Sequence, residues 1–120
     1  MRLICILLFA AIAASAQPPH SVTLNWAWSA GTGGTASGFN IKRATISGGP
    51  YVLIGTVATT ATTTYVDTSA TGNLLAEGSK YFYIVTATGP GGESAPSSEA
   101  NALIPFSAPA SPTAVTAIPK

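Results

Sequence analysis

Lys80-Tyr81-Phe82-Tyr83-Ile84-Val85-Thr86-Ala87 alternates aromatic and aliphatic side chains, and its reading decides the fold. A period of two marks a β-strand with one buried face, here Tyr81, Tyr83 and Val85. Leu75 precedes Tyr81 across the polar turn Ala76-Glu77-Gly78-Ser79-Lys80. Leu, a short turn, then Tyr opening a strand is the pattern of a tyrosine corner, whose phenol packs in a β-sandwich core and bonds back to the turn. The stretch predicts a fold and names no ligand.

Upstream, Ser21–Ala27 alternates strictly, with Val22, Leu24 and Trp26 on one face. A Gly-rich loop, Ala30–Gly38, leads to a second strand, Phe39–Ala44, with Phe39 and Ile41 inward. Ser47-Gly48-Gly49-Pro50 is a turn before a third strand, Tyr51–Ala58. The Thr-rich stretch 59–64 precedes a short strand at Tyr65-Val66. Downstream, Gly89-Pro90-Gly91-Gly92 is a turn that no helix crosses, and Glu99–Ile104 forms the last strand. No segment beyond the amino-terminal one shows a helical apolar period. Short strands between Gly, Pro and Thr clusters argue an antiparallel sandwich.

The first residues read as a targeting signal. Met1-Arg2 opens it, Leu3–Ala14 is an apolar run, and Ala14-Ser15-Ala16 supplies a signal peptidase site, so cleavage is expected after Ala16. The run is too short to leave a stable membrane anchor. Cys5 lies within the signal with the wrong neighbours for a lipoprotein cysteine. Removing 1–16 leaves four basic residues against four acidic ones and no Cys. A neutral chain with so few charges has no electrostatic footprint for nucleic acid or anionic lipid. The remainder divides into a leader (17–20), one domain (21–104) and a Pro/Ala/Ser-rich tail (105–120).

Val22-x-Leu24-x-Trp26, Gly38-Phe39-Asn40-Ile41-Lys42-Arg43, Tyr65-Val66-Asp67-Thr68, Tyr81-x-Tyr83-x-Val85-x-Ala87 and Gly92-x-Ser94-x-Pro96-Ser97 follow one another over about Ser21–Ile104. Together they resemble a fibronectin type III domain, and Arg43-Ala44-Thr45-Ile46-Ser47-Gly48-Gly49-Pro50-Tyr51 is similar to bacterial secreted versions of the module. The resemblance implies a seven-stranded, immunoglobulin-like Greek-key sandwich, with Trp26 as core Trp and Tyr81 as corner Tyr. The family opens with a strand ahead of Val-x-Leu-x-Trp. Here only Gln17–Ser21 precede Val22, so six strands are expected if the first is missing. The tail Ala108–Ala117 resembles the opening of another such domain. The family's Arg-Gly-Asp tripeptide is absent, and the turn that would carry it holds Pro90.

Nothing in the sequence assembles catalysis. His20 stands in a Pro-flanked leader where nothing positions it against Asp67 or a Ser, as a nucleophilic triad requires. Asp67, Glu77, Glu93 and Glu99 read as solvated acids on separate turns, too scattered for glycoside cleavage or a calcium loop. One His and no mature Cys do not close a zinc shell. Gly31-Thr32-Gly33-Gly34 lacks the Lys-Ser/Thr and the helix of a phosphate loop. No cofactor or metal is expected.

The expected function is a secreted, non-catalytic module for extracellular protein interaction or spacing. Phe82 and Ile84 have outward parity, with Asn40 and Lys42 as expected cross-sheet neighbours, and form a candidate contact face. Trp28 is expected to cap the end of the sandwich; exposed, it is a sugar-stacking ring beside Tyr51 in a glycan-binding alternative. Residues 112–117 are a candidate for self-association, by adding a strand to the Val22–Trp26 edge of another molecule.

Overall fold

Seven strands and no helix occupy residues 19–68 and 74–120, the residues described by a computed structural model of the chain. The expected signal peptide, its cleavage point, and Gln17 and Pro18 of the leader lie outside them. The strands are β1 (Ser21–Asn25), β2 (Gly38–Ala44), β3 (Val52–Val57), β4 (Thr64–Thr68), β5 (Lys80–Gly89), β6 (Gly92–Glu93) and β7 (Ala100–Leu103). β1 and β4 form one antiparallel sheet. β3, β2 and β5 form the other, with β6 and β7 both on the far edge of β5. The chain crosses between sheets from β1 to β2, from β3 to β4 and from β4 to β5, as a Greek-key sandwich requires.

The seven strands are not the seven of the complete pattern. β6 and β7 share one edge, and among the described residues β1 pairs with β4 alone. Between β6 and β7 the chain stays on β5 without forming a ladder. Ser94 N–H donates to Ala87 O at 2.8 Å and Ser97 N–H to Val85 O at 2.9 Å. In return Ala87 N–H donates to Ser94 Oγ and Val85 N–H to Ser97 Oγ. Pro96 fixes φ and has no N–H, so these hydroxyls supply the acceptors that strand carbonyls would otherwise give.

The tyrosine corner forms. Ala76 N–H donates to Tyr81 Oη at 2.9 Å, the phenol donates to Leu74 O, and Leu75 is fully buried. Leu24, Ile41, Leu75, Tyr81 and Tyr83 make the core cluster together with Ile104, the residue just past β7. Val22, Trp26 and Val85 are partly buried against that cluster, and Phe39 is buried.

Asp67 departs from the expected solvated acid. It lies on β4 facing inward and is 2% exposed. Arg43 of β2 donates to Asp67 Oδ2 at 2.9 Å, and Tyr83 Oη donates to the same oxygen at 2.8 Å. The Arg43 guanidinium also lies 5.0 Å above the Tyr81 ring. A buried carboxylate needs such partners, since an unpaired charge there is strongly disfavoured.

At the β2–β3 edge the register slips between Ile41↔Gly55 and Lys42↔Leu53, which leaves Ile54 as a bulge. Tyr65 reaches across from β4 and donates to Ile54 O at 3.0 Å. Only glycine fits beneath that ring, because a Cβ on Gly55 would stand 2.3 Å from Tyr65 Oη.

Candidate interaction site

Past β1, Trp28 sets its ring edge-on to Phe39, with centroids 5.9 Å apart, and Trp26 makes a similar contact at 5.2 Å. Trp28 keeps 37% of its surface exposed. It therefore covers the end of the core, as its parity suggests, while presenting an indole face to solvent. The Gly-rich loop lies beside it. Ser37 N–H donates to Thr88 O at 2.7 Å, and the Thr35 carbonyl approaches Gly89 so closely that a Cβ there would stand 2.1 Å from it.

A pocket of about 360 Å³ results, lined by Trp28, Gly31, Gly33–Ala36, the end of β5, and Gly91–Ser94 past the turn that carries Pro90. A second pocket of about 220 Å³ adjoins it, between Trp26, Trp28, Phe39 and the segment Ser94–Ser97. Among the described residues Glu93 is the only ionisable group lining either pocket, and it is already engaged. It accepts from Lys42, from Thr86 Oγ1 at 2.8 Å and from Asn40 Nδ2 at 3.2 Å. The bond from Lys42, then that from Thr86, holds the Glu93 carboxyl below the ordinary carboxylate range.

The same cluster changes the expected Phe82–Ile84 face. Ile84 lies opposite Lys42 in register but is only 9% exposed, and Phe82 lies opposite Ala44 and is half-buried. The polar layer of Asn40, Lys42, Thr86 and Glu93 occupies this face, so no open apolar patch exists around Ile84.

Tyr51 and Trp28 do not meet. Trp28 packs on Phe39 at the start of β2, whereas Tyr51 adjoins Val52, which pairs with Arg43 near the end of β2. A shared sugar-stacking platform is thereby excluded. Tyr51 instead donates to Glu99, which also accepts from Ser47 Oγ at 2.7 Å and from Gly48 N–H at 2.8 Å. Those bonds lower the Glu99 pKa, and the carboxylate raises that of Tyr51.

His20 bonds Glu77 at 3.3 Å, apart from the buried Asp67, so no triad assembles from them. Among the described residues no group of three His, Cys, Asp or Glu gathers. The ties made by Glu93 and Glu99 had no signal in the sequence. That of Arg43 had one, since it shares the inward parity of Phe39 and Ile41.

A Greek-key sandwich with a tyrosine corner defines a fibronectin type III-like fold rather than a named activity. An Fn3-like protein from Clostridium thermocellum matches this structure with a TM-score of 0.52 and 38% sequence identity, covering 73% of this chain and 80% of that one. A fourth FNIII domain of human origin matches with a TM-score of 0.57 and 25% identity, over 77% of this chain and 72% of that one. The sixth fibronectin type III domain of human fibronectin type III domain containing protein 3 shares the fold, with a TM-score of 0.55 and 16% identity over 79% and 89% of the two chains. No protein-family model and no curated protein sequence matches the chain. The chain belongs to the fibronectin type III family.

Proposed function

We propose that the chain is a secreted, non-catalytic fibronectin type III module that binds an extracellular protein through the end of the sandwich built around Trp28. One observation carries this reading. A large indole stands 37% exposed over a pocket whose other walls are Gly, Ala, Ser and Thr, apart from Glu93, whose carboxylate is tied to Lys42, Thr86 and Asn40. Large exposed aromatics in preformed concavities are favourable anchors for a partner, because little side-chain entropy is lost on binding. Phe39 and Trp26 hold the ring from beneath, which prepares the site before any partner arrives. The apolar run and small-residue site over 1–16 support export.

A glycan partner is the second reading. It is favoured by the Gly/Ser/Thr rim beside a single stacking ring, with Glu93 there neutralised by Lys42, and it does not involve Tyr51.

An extended-peptide library and a glycan array, probed with the chain and with Trp28→Ala, separate the two. Peptide binding lost in Trp28→Ala supports the first reading, and glycan binding lost in the same variant supports the second. Binding that Trp28→Ala leaves unchanged sinks both. Recovery of the protein from the medium with Gln17 at its amino terminus tests export.

A further inference from the structure

Among the described residues β1 has a ladder partner on one side only. β4 pairs with it from Ser21↔Thr68 to Asn25↔Thr64. Trp26 N–H donates to Thr63 O in the same register. By the alternation of an antiparallel ladder, Val22 and Leu24 also turn their backbone groups to β4, while Thr23 and Asn25 turn theirs away. The N–H and C=O groups of Thr23 and Asn25 therefore line an edge that no strand covers among the described residues.

The core opens on the same flank. A pocket of about 260 Å³ lies between β1 and the Ser97–Ala100 segment of the other sheet, reaching Leu24, Trp26, Tyr83 and Val85. The buried indole N–H of Trp26 has no hydrogen-bond partner. The edge at β3 is blunted by the Ile54 bulge and the Tyr65 hydroxyl. β1 carries no charge, proline or bulge.

The tail matches what this edge lacks. Gly78 N–H donates to Ile104 O at 2.8 Å, and Ser107 and His20 both bond Glu77, so the tail departs from the end of the sandwich where β1 begins. Thr113–Ile118 is free of proline and charge and is about as long as β1. It forms no strand, and Val115 and Ile118 are 84% and 85% exposed. From its point of departure the tail would run parallel to its own β1. A tail from a second molecule is free to enter antiparallel, which gives the more stable ladder.

We propose that Thr113–Ile118 of one molecule adds as an antiparallel strand to the free edge of β1 in a second copy. Val115 would point into the pocket beside Leu24 and Val85. Ala114, now at φ 56°, returns to extended backbone on pairing. The contact joins two different surfaces, so repetition builds an open head-to-tail chain.

The test uses the purified chain, its amino terminus fixed by mass, in a light-scattering concentration series beside Val115→Asp and Thr23→Pro. Val115 is exposed, so its replacement leaves the fold intact. Thr23→Pro removes an edge donor without touching the β1–β4 ladder. The expected result is mass rising with concentration in the parent only, with amide exchange at Thr23 and Asn25 slowed at least tenfold on association. A synthetic peptide of residues 108–120 would dissolve the assembly and slow the same amides. A parent that stays monomeric at millimolar concentration overturns the proposal, as does association that persists in both variants. Slowed exchange in a monomer overturns it too, because the molecule's own tail would then cover the edge.

Discussion

Arg43 on β2 donates from Nη1 to Oδ2 of Asp67 on β4 at 2.9 Å, which joins the two sheets through their shared interior. The carboxylate is 2% exposed and is completed by the Tyr83 hydroxyl at 2.8 Å. Removing one member leaves a charge in the core without its partner. Arg43→Ala is expected to destabilise by about 3–5 kcal/mol, the range for breaking a buried pair. Urea unfolding of Arg43→Ala, Asp67→Ala and the double variant gives the coupling directly. The double variant should be less damaged than the two losses added together. Simple additivity would mean that the pair is solvated in solution.

Tyr83 titrates far outside the ordinary range for a phenol. Burial is the first cause and the hydrogen bond to Asp67 the second, and both raise its pKa. The folded protein favours neutral Tyr83, so the stability it contributes is complete below the ordinary value of 10.0 and is lost as pH rises above it. Phenolate absorbance should show one tyrosine silent until the chain unfolds in alkali, and Tyr83→Phe should remove that silent group. A titration in which every phenol ionises near the ordinary value would contradict the buried bond.

The tyrosine corner closes the turn before β5 through one hydroxyl. Tyr81→Phe keeps the ring and its contact with the Arg43 guanidinium but leaves Ala76 N–H without its acceptor. The loss should be about 1–1.5 kcal/mol, read as a lowered urea midpoint with an unchanged slope. Amide exchange at Ala76 should quicken in the same variant.

The sandwich was legible in the sequence because its strands are read locally. Tyr81, Tyr83, Leu24 and Ile41 bury according to a period of two, and Leu75 with its turn announces the corner. The site was less legible because its contacts are long-range. Ile84 has outward parity, yet Lys42 and Glu93, from two other strands, close the layer around it. Asp67 reads as a surface acid until Arg43, twenty-four residues away, is placed opposite it. Tyr51 and Trp28 are both aromatics near strand ends, and only the direction of β2 shows that they belong to opposite ends. The Trp28 pocket depends on the path of a Gly-rich loop, which has no periodicity to read.

Trp28 offers a check that is independent of any ligand. Its ring is partly exposed and makes an edge-on contact with Phe39. Trp28→Ala should cost about 1–3 kcal/mol, the edge-on aromatic contact plus the part of the ring surface that is covered. The more exposed indole should emit at longer wavelength than Trp26, so the variant's fluorescence should shift to the blue. A large stability loss would mean that Trp28 belongs to the core rather than to the surface of the site.

Acid should loosen the loops. Hydrogen bonds from Ser47, Tyr51 and Gly48 hold the Glu99 pKa below 4.5, and those from Lys42 and Thr86 do the same for Glu93. Ser107 and then His20 lower Glu77 likewise. In each case the folded state favours the carboxylate. The stability contributed is therefore complete above the ordinary value and is lost as pH falls through the lowered folded value. Thermal midpoints measured from pH 7 downward should hold steady and then decline across that acidic window. Glu99→Gln should flatten part of the decline, because it keeps the shape of the side chain without its titration. Glu93 and Glu99 are solvent-exposed and Glu77 is only partly buried, so each effect should be modest and should shrink in high salt. A decline already under way near neutrality would contradict the assignment to these carboxylates.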